Sequence, residues 1–166
     1  HYVSMPTYRA MAVKKLEIIP IEVVVRNIAA GSIVRQTTLE EGTVLPTPLV
    51  EWYLKDDEKD DPLLTEDRIA LMGDYPLKTL KKRALEVNNI LREVFYDIGL
   101  TLVDFKLEYG YDMNGNLLLA DELSPDGMRL WKEGTSESYD KDLFRNANGD
   151  IVTAYENILT NLSRII

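Results

Sequence analysis

The stretch Leu102–Arg129, LVDFKLEYGYDMNGNLLLADELSPDGMR, decides the fold. Two strand-like runs flank Asn114-Gly115. That dipeptide is a hairpin signal, because both central residues of a type I′ turn require positive φ. Alternate side chains of a strand share a face. Asp104, Lys106 and Glu108 therefore fall on one face, and Val103, Phe105, Leu107 and Tyr109 on the other. With a two-residue turn, Met113 faces Asn116, and counting outward sets Glu108 opposite Asp121. Like charges directly opposite in a sheet destabilise it. Two readings of this face follow. In one, the carboxylates gather round a hard cation such as Mg²⁺, which takes one or two carboxylates plus phosphate oxygens. In the other, the face is a solvated polar surface with Lys106 as its counter-ion.

The surrounding composition narrows the chemistry. The chain has 166 residues, 45% apolar and 28% charged, enough for one domain with its own core. A net charge of −9 argues against nucleic acid and against an anionic membrane surface as partners. There is no cysteine, and His1 is the only histidine. Disulfides, thiolate metal sites and histidine base catalysis are thereby set aside. What remains is carboxylates, lysines, arginines, hydroxyls and a hard metal. No signal peptide and no bilayer-length apolar run occurs, so a cytoplasmic location is the expectation.

Working outward from the hairpin, Val13–Arg26 reads as two strands broken at Pro20, since proline cannot donate to a central ladder. Glu22 and Arg26 share a face of the second strand. Ala29–Ser32 reads as a small-residue turn, Thr37–Pro48 as loop, and Leu49–Leu54 as a short strand. Lys55–Pro62, KDDEKDDP, is an exposed charge run. Thr65 caps a short helix to Met72. Pro76–Ile98 carries a 3-4 apolar stripe (Leu77, Leu80, Ala84, Val87, Leu91, Val94, Ile98) and ends at Gly99. A last helix starts at Asp150, with Ile151, Tyr155, Ile158, Leu159, Leu162 and Ile166 on one side. Trp131–Gly149 reads as irregular. Helices set apart from hairpin-linked strands predict α+β architecture, an antiparallel sheet backed by helices.

Neither a Walker A pattern nor G-x-G-x-x-G occurs among the nine glycines. Three other clusters bear on chemistry. Arg26–Ser32, RNIAAGS, combines a guanidinium, a glycine-freed turn and a hydroxyl, which can clamp an anion or simply close a strand. The acidic hairpin is the second. Asp121–Arg129, DELSPDGMR, ends a strand in a turn that presents Arg129, and such a turn is also sufficient as structure alone.

Taken in order, Ile21–Ser32, Lys55–Pro62, Leu102–Gly110, Asp121–Arg129 and Glu137–Arg145 (ESYDKDLFR) resemble the SAICAR synthetase family of purine biosynthesis. The resemblance implies an ATP-dependent ligase. ATP phosphorylates the carboxylate of an aminoimidazole carboxylate ribonucleotide, and the amine of L-aspartate then displaces phosphate. It implies ATP and Mg²⁺ as cofactors, with Glu108, Asp121 and Asp61 toward the metal. Lys106 would neutralise the transferred phosphoryl group, with Asp104 near the substrate. Arg26, Ser32 and Arg129 would bind the ribonucleotide's phosphate and carboxylate, with Lys141 and Arg145 toward the acidic substrates. Lys55, Glu108 and Asp121 would lie near the nucleotide, and Glu17, Ile18 and Ile19 would meet adenine through the backbone.

The family also implies a two-lobe, ATP-grasp-like ligase. Residues 1–19 then read as a remnant of the ATP-lid lobe and hinge, and 20–166 as the C-terminal substrate- and metal-binding lobe. The chain starts near the end of the lid lobe. The expectation is thus a truncated form, weakly active or inactive alone, whose uncovered apolar surface at Val13–Ile19 favours self-association as a homo-oligomer. Two other functions fit the residue inventory: a small-molecule kinase with a related two-lobe site, and a non-catalytic module that binds Mg²⁺ or phosphosugars.

Overall fold

A computed structural model describes residues 1–140 and 150–165. Nearly everything in it is organised on one strand, β7 (Leu100–Tyr111). Along one edge β7 pairs with β4 (Ile21–Ile28) and β3 (Glu17–Ile18). Along the other it pairs with β9 (Met128–Lys132) and β8 (Leu117–Ala120). β5 (Val44–Leu54) lies outside β4, and β6 (Leu63–Leu64) outside β5. Every pairing is antiparallel, so the expected α+β class is the observed one. A separate two-stranded hairpin, β1 (Tyr2–Thr7) and β2 (Ala10–Val13), precedes the sheet. It occupies residues for which the sequence suggested no structure. Most of its side chains are exposed, including Tyr2, Met5, Tyr8 and Met11.

Among the described residues the α-helices are α1 (Ser32–Gln36), α2 (Glu66–Met72), α3 (Leu77–Tyr96) and α4 (Ile151–Leu162). Their ends follow local rules. Thr65 Oγ1 accepts from Arg68 N at 3.2 Å, and Asp150 Oδ1 from Val152 N at 3.0 Å. Leu80 and Ala84 of α3 are fully buried against Ile21, Val23, Val25, Phe105, Leu107 and Tyr109 of the sheet. Burying a side chain the size of Leu80 is worth about 1.5–3 kcal/mol. Phe95 and the polar Asn88 complete the buried face of α3, beyond the apolar stripe. Asn88 is admitted because it exchanges hydrogen bonds with Asn27 at 2.8 and 3.1 Å. On α4 the buried residues are Ala154 and Ile158, while Leu159 is exposed rather than inward.

Three local readings are corrected. First, the hairpin register is one residue off the expected one: Glu108 pairs with Ala120, not Asp121. The loop is longer than two residues. Gly115 has φ 76° but Asn114 does not have positive φ. Asp112 N donates to Asn116 O, Gly115 N donates to Asp112 O, and Asp112 Oδ1 accepts from the backbone N–H groups of Asn114 and Asn116, each at 2.9 Å. This three-residue loop with glycine in the left-handed region is the second common hairpin solution, and the Asp112 carboxylate selects it here.

Second, β5 starts at Val44, well before Leu49. Pro46 and Pro48 fall where its ladder to β4 is interrupted, between Ile28↔Val44 and Arg26↔Leu49, so no amide hydrogen is missed. Third, β7 carries a bulge. Its pairing with β9 passes from Leu102↔Leu130 to Asp104↔Arg129, skipping Val103. Leu100 and Leu102 then share the core with Phe105 and Leu107, while Val103 packs with Ala30 and Trp131.

Candidate active site

The face of the sheet away from α3 bears a lattice of charges. Strand alternation puts Glu51 and Tyr53 on it from β5, with Lys55 just past that strand's end, Glu22 and Arg26 from β4, and Asp104, Lys106 and Glu108 from β7. Register then sets sign against sign. Arg26 lies beside Asp104, and Val24 between Glu51 and Lys106. β9 adds Arg129, paired with Asp104.

One half of the lattice is built round Arg26, which is 3% exposed. Its Nε donates to Glu51 Oε2 at 2.6 Å, and Nη1 to Asp104 Oδ2 at 2.7 Å and to Ala30 O at 3.1 Å. Nη2 donates to Ser32 Oγ at 2.7 Å and to Tyr53 Oη at 3.2 Å. Burial works against this charge, but the Glu51 hydrogen bond and the Asp104 charge outweigh it and hold the guanidinium above its ordinary value. Arg129 Nη1 donates to both Asp104 oxygens, at 2.9 and 3.1 Å. Two guanidinium groups thus converge on one buried carboxylate, with the Ser32 hydroxyl alongside. Gly31 holds φ 68° at this turn, and a Cβ there would lie 2.5 Å from Arg129 Nη2. Glycine keeps both the turn and the arginine in place, since a Cβ would push the guanidinium aside.

The other half is built round Lys106. Its Nζ donates to Glu22 Oε1 at 2.8 Å and Glu108 Oε1 at 2.9 Å, with Asp121 Oδ2 at 3.8 Å. Burial opposes the charge, yet the hydrogen bonds to Glu22 and Glu108 raise the ammonium well above its usual value. Lys55 Nζ reaches the same Glu108 oxygen at 2.6 Å, and that bond raises Lys55 as well. Asp121 reaches the cluster although alternation does not place it opposite Glu108. β8 ends at Ala120, and Asp121 adopts φ 56°, a left-handed turn that brings its carboxylate within reach of Lys106. Burial pushes Asp121 up, but a hydrogen bond with Glu122 and the Lys106 charge bring it below the usual carboxylate range. The same bond, with burial and the neighbouring Asp121 charge, raises Glu122 above the usual carboxylate range.

Glu22, Asp61, Lys106, Asp121, Glu122, Asp126 and Gly127 line a cleft of about 310 Å³. Acids outnumber bases there, so the cleft suits a hard cation. Among the described residues no three such side chains converge closely enough to hold a metal ion unaided. A cation here would need oxygens from a ligand, as Mg²⁺ on a phosphate does. A larger depression, about 800 Å³, lies between the second half of α3 and the start of β5. It lies apart from the charge lattice.

Of the residues singled out from sequence, Arg26, Ser32, Asp104 and Arg129 come together in the first half. Lys55, Lys106, Glu108 and Asp121 come together in the second, with Asp61 on its cleft. Glu17 and Ile18 are exposed on β3, while Ile19 is buried and its N–H is taken by Tyr109 O at 2.9 Å. Lys141 and Arg145 lie outside the described residues. Glu51, Tyr53 and Glu122 went unnoticed in the sequence, and Glu22 was placed on its face without a role. The alternation of VEWYLK carried a signal for Glu51 and Tyr53, but only the order of the strands brings them to Arg26.

Known proteins share this arrangement of strands and sequence. The family model of SAICAR synthetase matches residues 1–162. A phosphoribosylaminoimidazole-succinocarboxamide synthase of Prochlorococcus marinus is 46% identical over 173 residues, covering 100% of this chain and 72% of its own length. The enzyme of that name from Campylobacter curvus is 51% identical, covering 90% of this chain and 65% of its own. Among solved structures, a SAICAR synthetase in complex with ADP superposes with a TM-score of 0.91 at 41% identity, over 98% of this chain and 70% of that one. The chain thus spans about two thirds of the length of these relatives. With the family model matching residues 1–162 and the fold matched over 98% of the chain, the chain belongs to the SAICAR synthetase family.

Proposed function

We propose that the chain serves an ATP-dependent carbon–nitrogen ligase, joining L-aspartate to the carboxylate of 5-amino-1-(5-phosphoribosyl)imidazole-4-carboxylate in purine biosynthesis. The observation that carries this is the junction of two unlike half-sites on one sheet face: paired guanidiniums beside hydroxyls, and an acid-rich cleft organised on a lysine. The first suits a substrate with a phosphate and a carboxylate. The second suits the phosphates of a nucleotide and their metal. The family relatives and the ADP-bound neighbour support the same assignment.

In this reading the γ-phosphoryl group of ATP passes to a carboxylate oxygen and ADP leaves. The amine of aspartate then attacks the acyl carbon, the C–O bond to phosphate breaks, and the amine loses a proton as the amide forms. Such chemistry asks for position and charge neutralisation more than for a nucleophilic side chain. Arg26, Ser32 and Arg129 hold the ribonucleotide anions, with Lys141 and Arg145 assisting. Asp104 orients both guanidiniums. Lys106 meets charge on the transferred phosphoryl group, and its raised affinity for the proton keeps it cationic throughout. Lys55, Glu108 and Asp121 lie toward the nucleotide, and the Glu17–Ile19 backbone toward adenine. Mg²⁺ would be held by Glu108, Asp121 and Asp61 together with phosphate oxygens, and would supply charge neutralisation between those phosphates.

Residues 1–19 then belong to the nucleotide-covering side of a two-lobe ligase and 20–166 to the substrate side, in a small-molecule enzyme of the cytoplasm. The exposed apolar side chains of β1 and β2 suit association with a second copy. A coupled assay of ADP release tests the reading. Release should require both the aminoimidazole carboxylate and L-aspartate. Release onto a hydroxyl acceptor without aspartate would replace the ligase by a kinase, and binding with no turnover even in a protein of the relatives' full length would leave a binding module.

A further inference from the structure

We infer that Glu51 is a positioning residue that aims Arg26 at the anion of the substrate. The inference rests on the reading above that Arg26, Ser32 and Arg129 receive that anion. A guanidinium has five N–H donors. Those of Arg26 serve Glu51 at Nε, Asp104 and Ala30 O at Nη1, and the Ser32 and Tyr53 hydroxyls at Nη2. An incoming anion must take one of these edges. The Nε and Nη1 edges face carboxylates in short, charge-assisted bonds, which are about twice as strong as neutral ones. The Nη2 edge faces two neutral hydroxyls. Only there can an anionic oxygen displace an acceptor without stranding a buried charge. The Ser32 hydroxyl keeps its own hydrogen, so it can turn and donate to the newcomer.

What makes Nη2 the open edge is the clamp on Nε. Leu49 is the direct cross-strand partner of Arg26, and Glu51 lies two residues on, in the diagonal position that a long side chain reaches. Its contact at 2.6 Å is the shortest the guanidinium makes, and its side chain is 13% exposed. The same Oε2 accepts from Tyr53 Oη at 3.1 Å, so one oxygen fixes both the arginine and the hydroxyl beside its open edge. Asp104 alone would leave the group able to pivot about Nη1.

A positioning role and a plain counter-ion role predict opposite signs. A counter-ion repels the substrate anion, so removing it tightens binding. A positioning residue, when removed, weakens binding although net charge moves in the favourable direction. The test compares the unmodified chain with Glu51→Ala and Glu51→Gln by calorimetric titration with the aminoimidazole carboxylate ribonucleotide, and follows the Arg26 Nε–H resonance by ¹⁵N NMR without ligand. Glu51→Ala should bind on the order of 10-fold more weakly and lose the protected Nε–H signal. Glu51→Gln, whose amide oxygen still accepts from Nε, should restore both to near the original values. Equal or tighter binding in Glu51→Ala overturns the inference. Should Glu51→Ala not fold, tighter binding in Glu51→Gln overturns it and unchanged binding supports it. If the unmodified chain does not bind the ribonucleotide, the proposed function fails instead. The NMR signal then still decides Glu51, because its survival in Glu51→Ala would show that nothing there depends on the clamp.

Discussion

Replacing Asp104 by alanine should destabilise the chain in plain buffer and make inorganic phosphate an unusually good stabiliser. Asp104 is 4% exposed and accepts from Arg26 Nη1 at 2.7 Å and Arg129 Nη1 at 2.9 Å. Its removal strips the carboxylate shared by two guanidiniums, one of them buried. Breaking a buried ion pair from one side costs about 3–5 kcal/mol. The exposure of Arg129, whose side chain is 18% exposed, argues for the lower end. For a chain of this size each kcal/mol moves Tm by about 2–4 °C, so a fall of about 10 °C is expected. The vacated space lies between two cations, where phosphate can stand in for the lost carboxylate. At ten times its dissociation constant phosphate would return about 1.4 kcal/mol, close to half the loss. Scanning calorimetry in a zwitterionic buffer, with and without phosphate, measures both numbers. A loss below about 1 kcal/mol, less than the cost of one stranded charge, would refute the account of the cradle, and so would equal phosphate stabilisation of the variant and the original chain.

Three further outcomes are expected. Glu108→Gln and Asp121→Asn should each abolish binding of the Mg²⁺–nucleotide while far-ultraviolet circular dichroism stays unchanged, because Asp121 lines the acid-rich cleft and Glu108 holds the lysine on it; unchanged nucleotide affinity in both would return this face to an ordinary salt-bridged surface. Gly31→Ala introduces a Cβ 2.5 Å from Arg129 Nη2 at φ 68° and ψ −125°, a conformation sparsely populated by L residues, at a strain of about 1–3 kcal/mol. Since the Arg129 side chain can swing away, ribonucleotide affinity should fall by a larger factor than stability does, and equal losses would count against a ligand role for Arg129. Asp150, held below its ordinary pKa mainly by the Thr153 hydroxyl and the Val152 N–H, stabilises α4 above the unfolded carboxylate range of about 3.9 and loses that effect as pH falls through its folded value. The difference in Tm between the original chain and Asp150→Asn should therefore shrink as pH falls from 5 to 2; a constant difference would show that the cap works without its charge.

Local chemistry determined much of this protein from its sequence. Period-two alternation set Asp104, Lys106 and Glu108 on one face and Phe105, Leu107 and Tyr109 on the other, and it set Glu22 with Arg26. These hold because the pleat leaves a side chain no choice of face within an unbroken strand. The caps at Thr65 and Asp150 were equally legible, since each concerns atoms two or three residues apart. Tertiary structure decided the rest. The carboxylate of Asp112 chose the hairpin loop and so the register, and a left-handed turn rather than alternation delivered Asp121 to Lys106. The order of strands, which no single segment encodes, brought Glu51 and Tyr53 from β5 onto Arg26 and gave that guanidinium its full set of partners. Facing is a property of one strand; neighbours across the sheet depend on which strands pair and in what register, and that is settled only when the core closes.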